Sequence, residues 1–190
     1  MPKQRNLTGE AVIAAAITLV EQDGYGSLSI SGLAGKLNVK PPSLYNHISG
    51  IDDLTRQLAA AVLSRMEEAV KTAAVGRSEE LAIRAIAAGY RAFAINHPEL
   101  YRAFTTAPSI DAGGKLGSLA DTLRQVLTPF GLSYTDELNY IRIFHSALHG
   151  FVALESSGFF RSADIPAEES FSALVDSQIL ILNSLRGKCQ

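Results

Sequence analysis

Apolar side chains recur three and four positions apart along almost the whole chain, and strict alternation with polar residues is scarce. Spacing of that kind repeats one face of a helix, so the pattern predicts an all-α protein. Thr8, followed by Glu10, caps a first helix whose apolar face is Val12, Ile13, Ala16, Ile17 and Val20, and Gly24 ends it. Ser29 or Ser31 caps a second helix containing Leu33, Ala34 and Leu37. A third begins near Pro42 and carries Leu44, Tyr45 and Ile48. Asp52 and Asp53 supply the negative charge that the start of a fourth helix favours, and this helix runs through Leu54, Leu58, Val62 and Met66 towards Val70.

The pattern breaks around Val75 to Ser78 and then resumes through Ile83, Ile86, Tyr90 and Phe93 to Asn96, a fifth helix. His97-Pro98 ends it, because the residue before a proline avoids the helical region. Pro98 opens a short sixth helix with Tyr101 and Phe104, and Ala112-Gly113-Gly114 reads as a loop. A seventh helix spans roughly Leu116 to Leu127 and stops before Pro129 and Gly131. Thr135 with Asp136 caps a long, apolar eighth helix through Gly150 to Glu155. Gly158 to Pro166 reads as a loop, and Pro166 suits the first position of a ninth helix that reaches Leu185. The reading is a three-helix head over residues 1–50 and a larger helical body over 51–190.

Composition narrows the function classes. The chain is 47% hydrophobic and 19% charged over 190 residues, enough apolar content for a sizeable core. Its net charge is -2, so any contact with nucleic acid must come from a local patch. No apolar run is long enough for a membrane span, and the N-terminus does not read as a signal peptide. Cys189 is the single cysteine, which excludes an internal disulfide and fits a cytoplasmic protein. Nucleophile elbows, phosphate loops and paired-carboxylate patterns are missing, so neither an enzyme nor a cofactor is expected.

The segment from Ile30 to Leu54 carries the most chemistry. Leu33, Leu37, Val39 and Leu44 are spaced to be buried between two crossed helices, and the small Ala34 permits close approach. Asn38 stands at the turn between them, where a positive φ is wanted and asparagine is tolerated almost as well as glycine. Lys40, Pro42, Ser43, Tyr45, Asn46 and His47 then fall at the start and outer face of the next helix. Asparagine bonds adenine bidentately, serine bonds either base type, and proline or tyrosine meets a thymine methyl or a phosphate. A short helix braced by another across a tight turn fits the major groove.

Leu44-Tyr45-Asn46-His47-Ile48, followed by Leu54, closely resembles the Leu-Tyr-x-His-Phe-x-x-Lys-x-x-Leu signature of the TetR (tetracycline-repressor-like) family of transcriptional regulators. The match extends back through Ala34, Leu37, Asn38 and Val39, and the order of nine helices agrees with the family throughout. The resemblance implies a homodimer paired through its last two helices. It also implies a palindromic double-stranded DNA operator read by Pro42, Ser43, Tyr45, Asn46 and His47 with Ser31 from the second helix. A small apolar or aromatic effector would release the operator, making the protein a repressor. One position departs from the pattern: Ile51 replaces the lysine that grips a phosphate at the start of the fourth helix. Lys3, Arg5, Lys36 and Lys40 against Glu10, Glu21 and Asp23 leave residues 1–50 at only +1. Anchoring is therefore expected from Lys40, the Lys3/Arg5 arm, backbone amides and helix dipoles.

Ser146 to Phe160 resembles a C-terminal subgroup of that family carrying Trp-x-x-Leu-His-Gly and then Leu-Glu, with His145 in the tryptophan's place. The resemblance puts an effector pocket among the fifth to eighth helices. Tyr90, Phe93, His97, Tyr101, Phe104, His145 and His149 offer it apolar walls with a few polar tips. His145 and His149, four apart on one helix, also suit a metal pair with His97 or Glu155 as third ligand. That makes a metal-responsive regulator or a helical metal-binding protein the alternative. No carboxylate-rich or cysteine-rich segment accompanies the pair, and a bound metal is the weaker expectation.

Overall fold

A computed structural model describes residues 7–107, 118–161 and 164–186. The described residues are helical with no strand. Eight α-helices form: α1 (Gly9–Asp23), α2 (Ile30–Leu37), α3 (Ile51–Ala74), α4 (Glu79–Asn96), α5 (Pro98–Thr106), α6 (Ser118–Leu127), α7 (Tyr134–Ser156) and α8 (Ala167–Leu185). The third of the nine helices expected is a short 3-10 helix, Pro41–Asn46, so the order is kept and the type differs. Pro41 and Pro42 stand in its first turn, where no N–H enters the ladder, and Ser49-Gly50 follows too soon for the segment to lengthen into an α-helix. The first six residues, with Lys3 and Arg5, lie outside the described residues, as do Ala112 to Gly114, Leu116 and Cys189. No described helix is long and apolar enough to cross a membrane.

The local signals mostly act as read. The Thr8 hydroxyl accepts the N–H of Ala11 at 3.2 Å, and Gly24 closes α1 with φ +83°. Ser29, rather than Ser31, caps α2, accepting the Gly32 N–H at 3.0 Å. A Cβ at residue 32 would stand 2.9 Å from the Ser29 hydroxyl and 3.2 Å from the Ser27 carbonyl, so only glycine fits beneath this cap. Asn38 is left-handed, at φ 53° and ψ 45°. Ser133, not Thr135, caps α7: its hydroxyl accepts the Asp136 N–H at 3.1 Å and donates to the Asp136 carboxylate at 2.7 Å. That reciprocal pairing satisfies two groups at once, which Thr135 inside the first turn could not do. Pro166 stands just before α8 rather than at its first position.

The chain divides into two compact units, the first of residues up to Arg65 with those from His97, the second of residues 66–96 and those from 118 onward. In the first, α1 packs on α2 and on α5, and α2 packs on the 41–46 segment. Its buried residues include Val12, Ala16, Val20, Leu33, Ala34, Leu44, Ile48, Leu58 and Leu100. Leu37 and Val39, expected in that core, are half-buried at its edge. In the second, α4 packs against α6, α7 and α8, and α7 packs against α8. Ile83, Ile86, Tyr90, Leu123, Phe144, Leu148, Phe171, Val175 and Leu182 are buried there.

Candidate nucleic-acid interface and effector-binding interior

The Pro41–Asn46 segment is held from below and open above. Leu44 and Ile48 are buried, whereas Tyr45 between them is 56% exposed. Lys40, Pro42 and Asn46 are exposed too, Ser43 and His47 are half-buried, and Ser31 is exposed on the first turn of α2. The chain reaches this position through Asn38: its left-handed backbone lets its own N–H bond Gly35 O at 3.1 Å while Val39 N–H bonds Ala34 O at 3.0 Å. The helix therefore stops within one residue and the next segment starts at a sharp angle.

Two residues the sequence reading did not choose fix the far end. The Asp53 carboxylate accepts the Ser49 N–H at 2.8 Å, and Gln57 donates to that same carboxylate at 3.1 Å and to the His47 carbonyl at 3.4 Å. Asp53 was legible only as a favourable charge at a helix start. That it reaches back two residues before α3 depends on the path of the turn. Ile51 is 43% exposed, an apolar side chain on the surface where a phosphate-gripping cation was missing from the pattern. Lys40 remains as an exposed cation, and Lys36 is engaged by the side-chain carbonyl of Gln22.

The seven residues read as a pocket lining divide between the units. His97, Tyr101 and Phe104 belong to the first, where His97 Nδ1 lies 3.0 Å from Glu21 Oε1 and the rings of Tyr101 and Phe104 are 6.4 Å apart. Tyr90, Phe93, His145 and His149 belong to the second. There Tyr90 meets His145 edge-on at 5.9 Å, its hydroxyl lies 3.4 Å from His149 Nδ1, and the two histidine rings are 6.5 Å apart. Burial, and secondarily the neighbouring His149, lower the pKa of His145 and keep its ring neutral. The Tyr140 hydroxyl and the Gln178 side-chain carbonyl are buried without a hydrogen-bond partner among the described residues. Burial pushes the Tyr140 hydroxyl pKa up. Buried polar groups of this kind call for a partner such as a water or a ligand.

A cleft of about 310 Å³ in the second unit is lined by Lys71, Val75, Arg77, Thr122, Gln125 and Pro129, none of which the sequence reading selected. A more open groove of about 610 Å³ in the first runs along Ile13, Ala14, Ile17, Ala61 and Arg65. Among the described residues, no three histidine, cysteine or acidic side chains gather as a metal site. Glu155, the third ligand considered for His145 and His149, is instead gripped by Arg91 through bonds of 2.7 and 2.8 Å. On the last two helices Ile143, Leu154, Leu180 and Ile181 are exposed.

Comparison with known proteins places these features in context. Residues 83–178 match the family described as tetracyclin repressor-like, C-terminal domain. An uncharacterized HTH-type transcriptional regulator of Mycobacterium tuberculosis is 34% identical over 169 residues, covering 85% of this chain and 76% of that protein. Another, from Bacillus subtilis, is 29% identical over 190 residues, with 97% and 98% covered. Among solved structures, a TetR variant from Acinetobacter baumannii in complex with minocycline superposes with a TM-score of 0.74 at 21% identity, covering 96% of this chain and 99% of that one.

Proposed function

Because this chain is a tetracyclin repressor-like transcriptional regulator and not an enzyme, we propose that it is a repressor that binds a palindromic operator as a homodimer and releases it on taking up a small apolar or aromatic effector. Residues 1–50 serve as the DNA reader, and 51–190 as the effector-binding and dimerising part. The observation that carries this reading is the 41–46 segment: Leu44 is buried, while Tyr45 and Asn46 are exposed beside Lys40 and Pro42. The buried Leu44 fixes the backbone from which these side chains project. Ser31, Ser43 and His47 complete the proposed contact set.

Tyr90, Phe93, His145 and His149, with the unpartnered Tyr140 hydroxyl and Gln178 carbonyl, supply an apolar interior with a few polar tips for the effector. The minocycline complex of the Acinetobacter protein supports a small-molecule effector by analogy of fold. The effector regulates only if it binds the DNA-releasing conformation better than the DNA-binding one. Ile143, Leu154, Leu180 and Ile181 are apolar enough to pair the last two helices with those of a second copy. A regulator of this kind works in the cytoplasm, where its DNA is. Selection of bound duplexes from a genomic fragment library tests the reading. The wild type should enrich a palindromic site, and Tyr45→Ala with Asn46→Ala should abolish that preference. Unchanged selective binding in the double variant would remove the 41–46 segment from the DNA-reading role.

A further inference from the structure

We propose that Glu99, far from the recognition segment in sequence, is a positioning residue for DNA reading, its carboxylate locking the elbow that aims α2. This rests on the regulatory reading above and names the residue through which α5 acts on the head. Glu99 Oε2 accepts the backbone N–H of Tyr25 at 2.7 Å across 74 residues of sequence, in a partly buried setting. The neighbourhood is built around that bond. α1 ends at Gly24, whose φ of +83° turns the chain, and a Cβ at that position would stand 3.4 Å from the same carboxylate oxygen. The Tyr25–Ser27 turn then closes through Ser27 N–H to Gly24 O at 3.1 Å and the Ser27 hydroxyl to Gly24 O at 2.6 Å. A carboxylate beside the carbonyl end of a helix is ordinarily unfavourable, so its place here depends on the donor that the turn presents.

The elbow is mechanically continuous with the DNA reader. The Ser27 carbonyl packs closely under Gly32 in the first turn of α2, where a Cβ would approach it to 3.2 Å. α2 in turn packs on the 41–46 segment. On the other side of the bond, α5 packs on α1 and on the Tyr25–Ser27 turn, and it follows α4 after the single residue His97. His97 lies 3.0 Å from Glu21 near the end of α1, and Arg65 is 3.9 Å from that glutamate, so a second polar contact steadies the same helix end. A displacement of α5 that withdrew Glu99 would leave the Tyr25 N–H without this acceptor and free the elbow that sets the angle of α2.

The test compares wild type, Glu99→Ala and Glu99→Gln on the duplex that the wild type enriches from a random pool, with hydrogen–deuterium exchange over residues 24–37 read in parallel. Loss of a charge-assisted hydrogen bond predicts binding of that duplex about tenfold weaker in Glu99→Ala. Exchange at Tyr25 and through α2 should be faster, while affinity for non-specific DNA is unchanged. Glu99→Gln keeps a carbonyl acceptor and should restore most of both. Unchanged specific binding in Glu99→Ala, or a glutamine variant as impaired as alanine, overturns the proposal. Should the alanine variant fail to fold, Glu99→Asp, which draws the acceptor back by one methylene, is expected to weaken the same duplex, and wild-type behaviour in it overturns the proposal equally. If the wild type enriches no duplex, the regulatory reading fails, and the exchange data alone decide whether Glu99 holds the elbow.

Discussion

Arg91 on α4 grips Glu155 on α7 through two parallel hydrogen bonds, Nε to Oε2 at 2.8 Å and Nη2 to Oε1 at 2.7 Å, and its guanidinium lies 4.7 Å from the centre of the Phe171 ring on α8. One side chain thus touches three helices. Hydrogen bonding to Glu155 is the main reason that the arginine's pKa is raised still further above its ordinary value, so the arginine stays charged throughout any practical pH range. Glu168, which also meets Arg91, is mostly exposed and adds little. Removing Arg91 leaves a half-buried carboxylate uncompensated. Arg91→Ala is expected to cost about 3 kcal/mol, read as a lowered denaturant midpoint, and Arg91→Lys should recover only part of it, because the fork geometry is lost.

Acid should weaken the protein through His145. Its pKa is lowered in the folded state from 6.5, so the unfolded chain binds the proton more readily. The sign follows from linkage: the contribution is fully present above the unfolded value of 6.5 and is lost as pH falls below it towards the folded pKa. Burial, and after it the neighbouring His149, oppose the added charge. Melting temperatures should fall as pH drops from neutrality through 6.5, and less steeply in His145→Gln. Parallel slopes for the two proteins would remove His145 from this role.

Leu44 and Tyr45 are neighbours with opposite duties. Leu44→Ala empties a fully buried site and is expected to cost about 2–5 kcal/mol of stability. Tyr45→Ala removes a side chain that is 56% exposed and should leave the melting transition almost unmoved while weakening binding to the enriched duplex. A stability loss in Tyr45→Ala as large as that in Leu44→Ala would show that the tyrosine is there to pack.

Ile51 offers a gain-of-function test. It is exposed at the first position of α3, beside the face proposed above to meet DNA. Ile51→Lys should tighten DNA binding at low salt and steepen the dependence of log affinity on log salt by about one. An unaltered slope would show that position 51 does not face a phosphate.

Much of this was written in local chemistry. Thr8, Gly24, Ser29, Asn38 and the His97-Pro98 break each act on the few residues beside them, so caps, the left-handed turn and helix order could be read along the chain. Tyr45 and Asn46 were legible as outward-facing for the same reason. The 3-10 character of the 41–46 segment was less so, because both prolines are compatible with a helix start, and only the early Ser49-Gly50 stop keeps it from lengthening. The choice of Ser133 over Thr135 turned on whether a serine could pair reciprocally with Asp136.

Partners distant in sequence could not be read in this way. Glu99 and Tyr25, Arg91 and Glu155, and Tyr90 and His149 meet only because helices cross. Periodicity marks which face of a helix is buried, but it carries no information on which other helix covers it. For that reason Tyr90, His97 and His149 read alike as polar tips on apolar helices, and packing alone assigned His97 to one compact unit and the other two to the second.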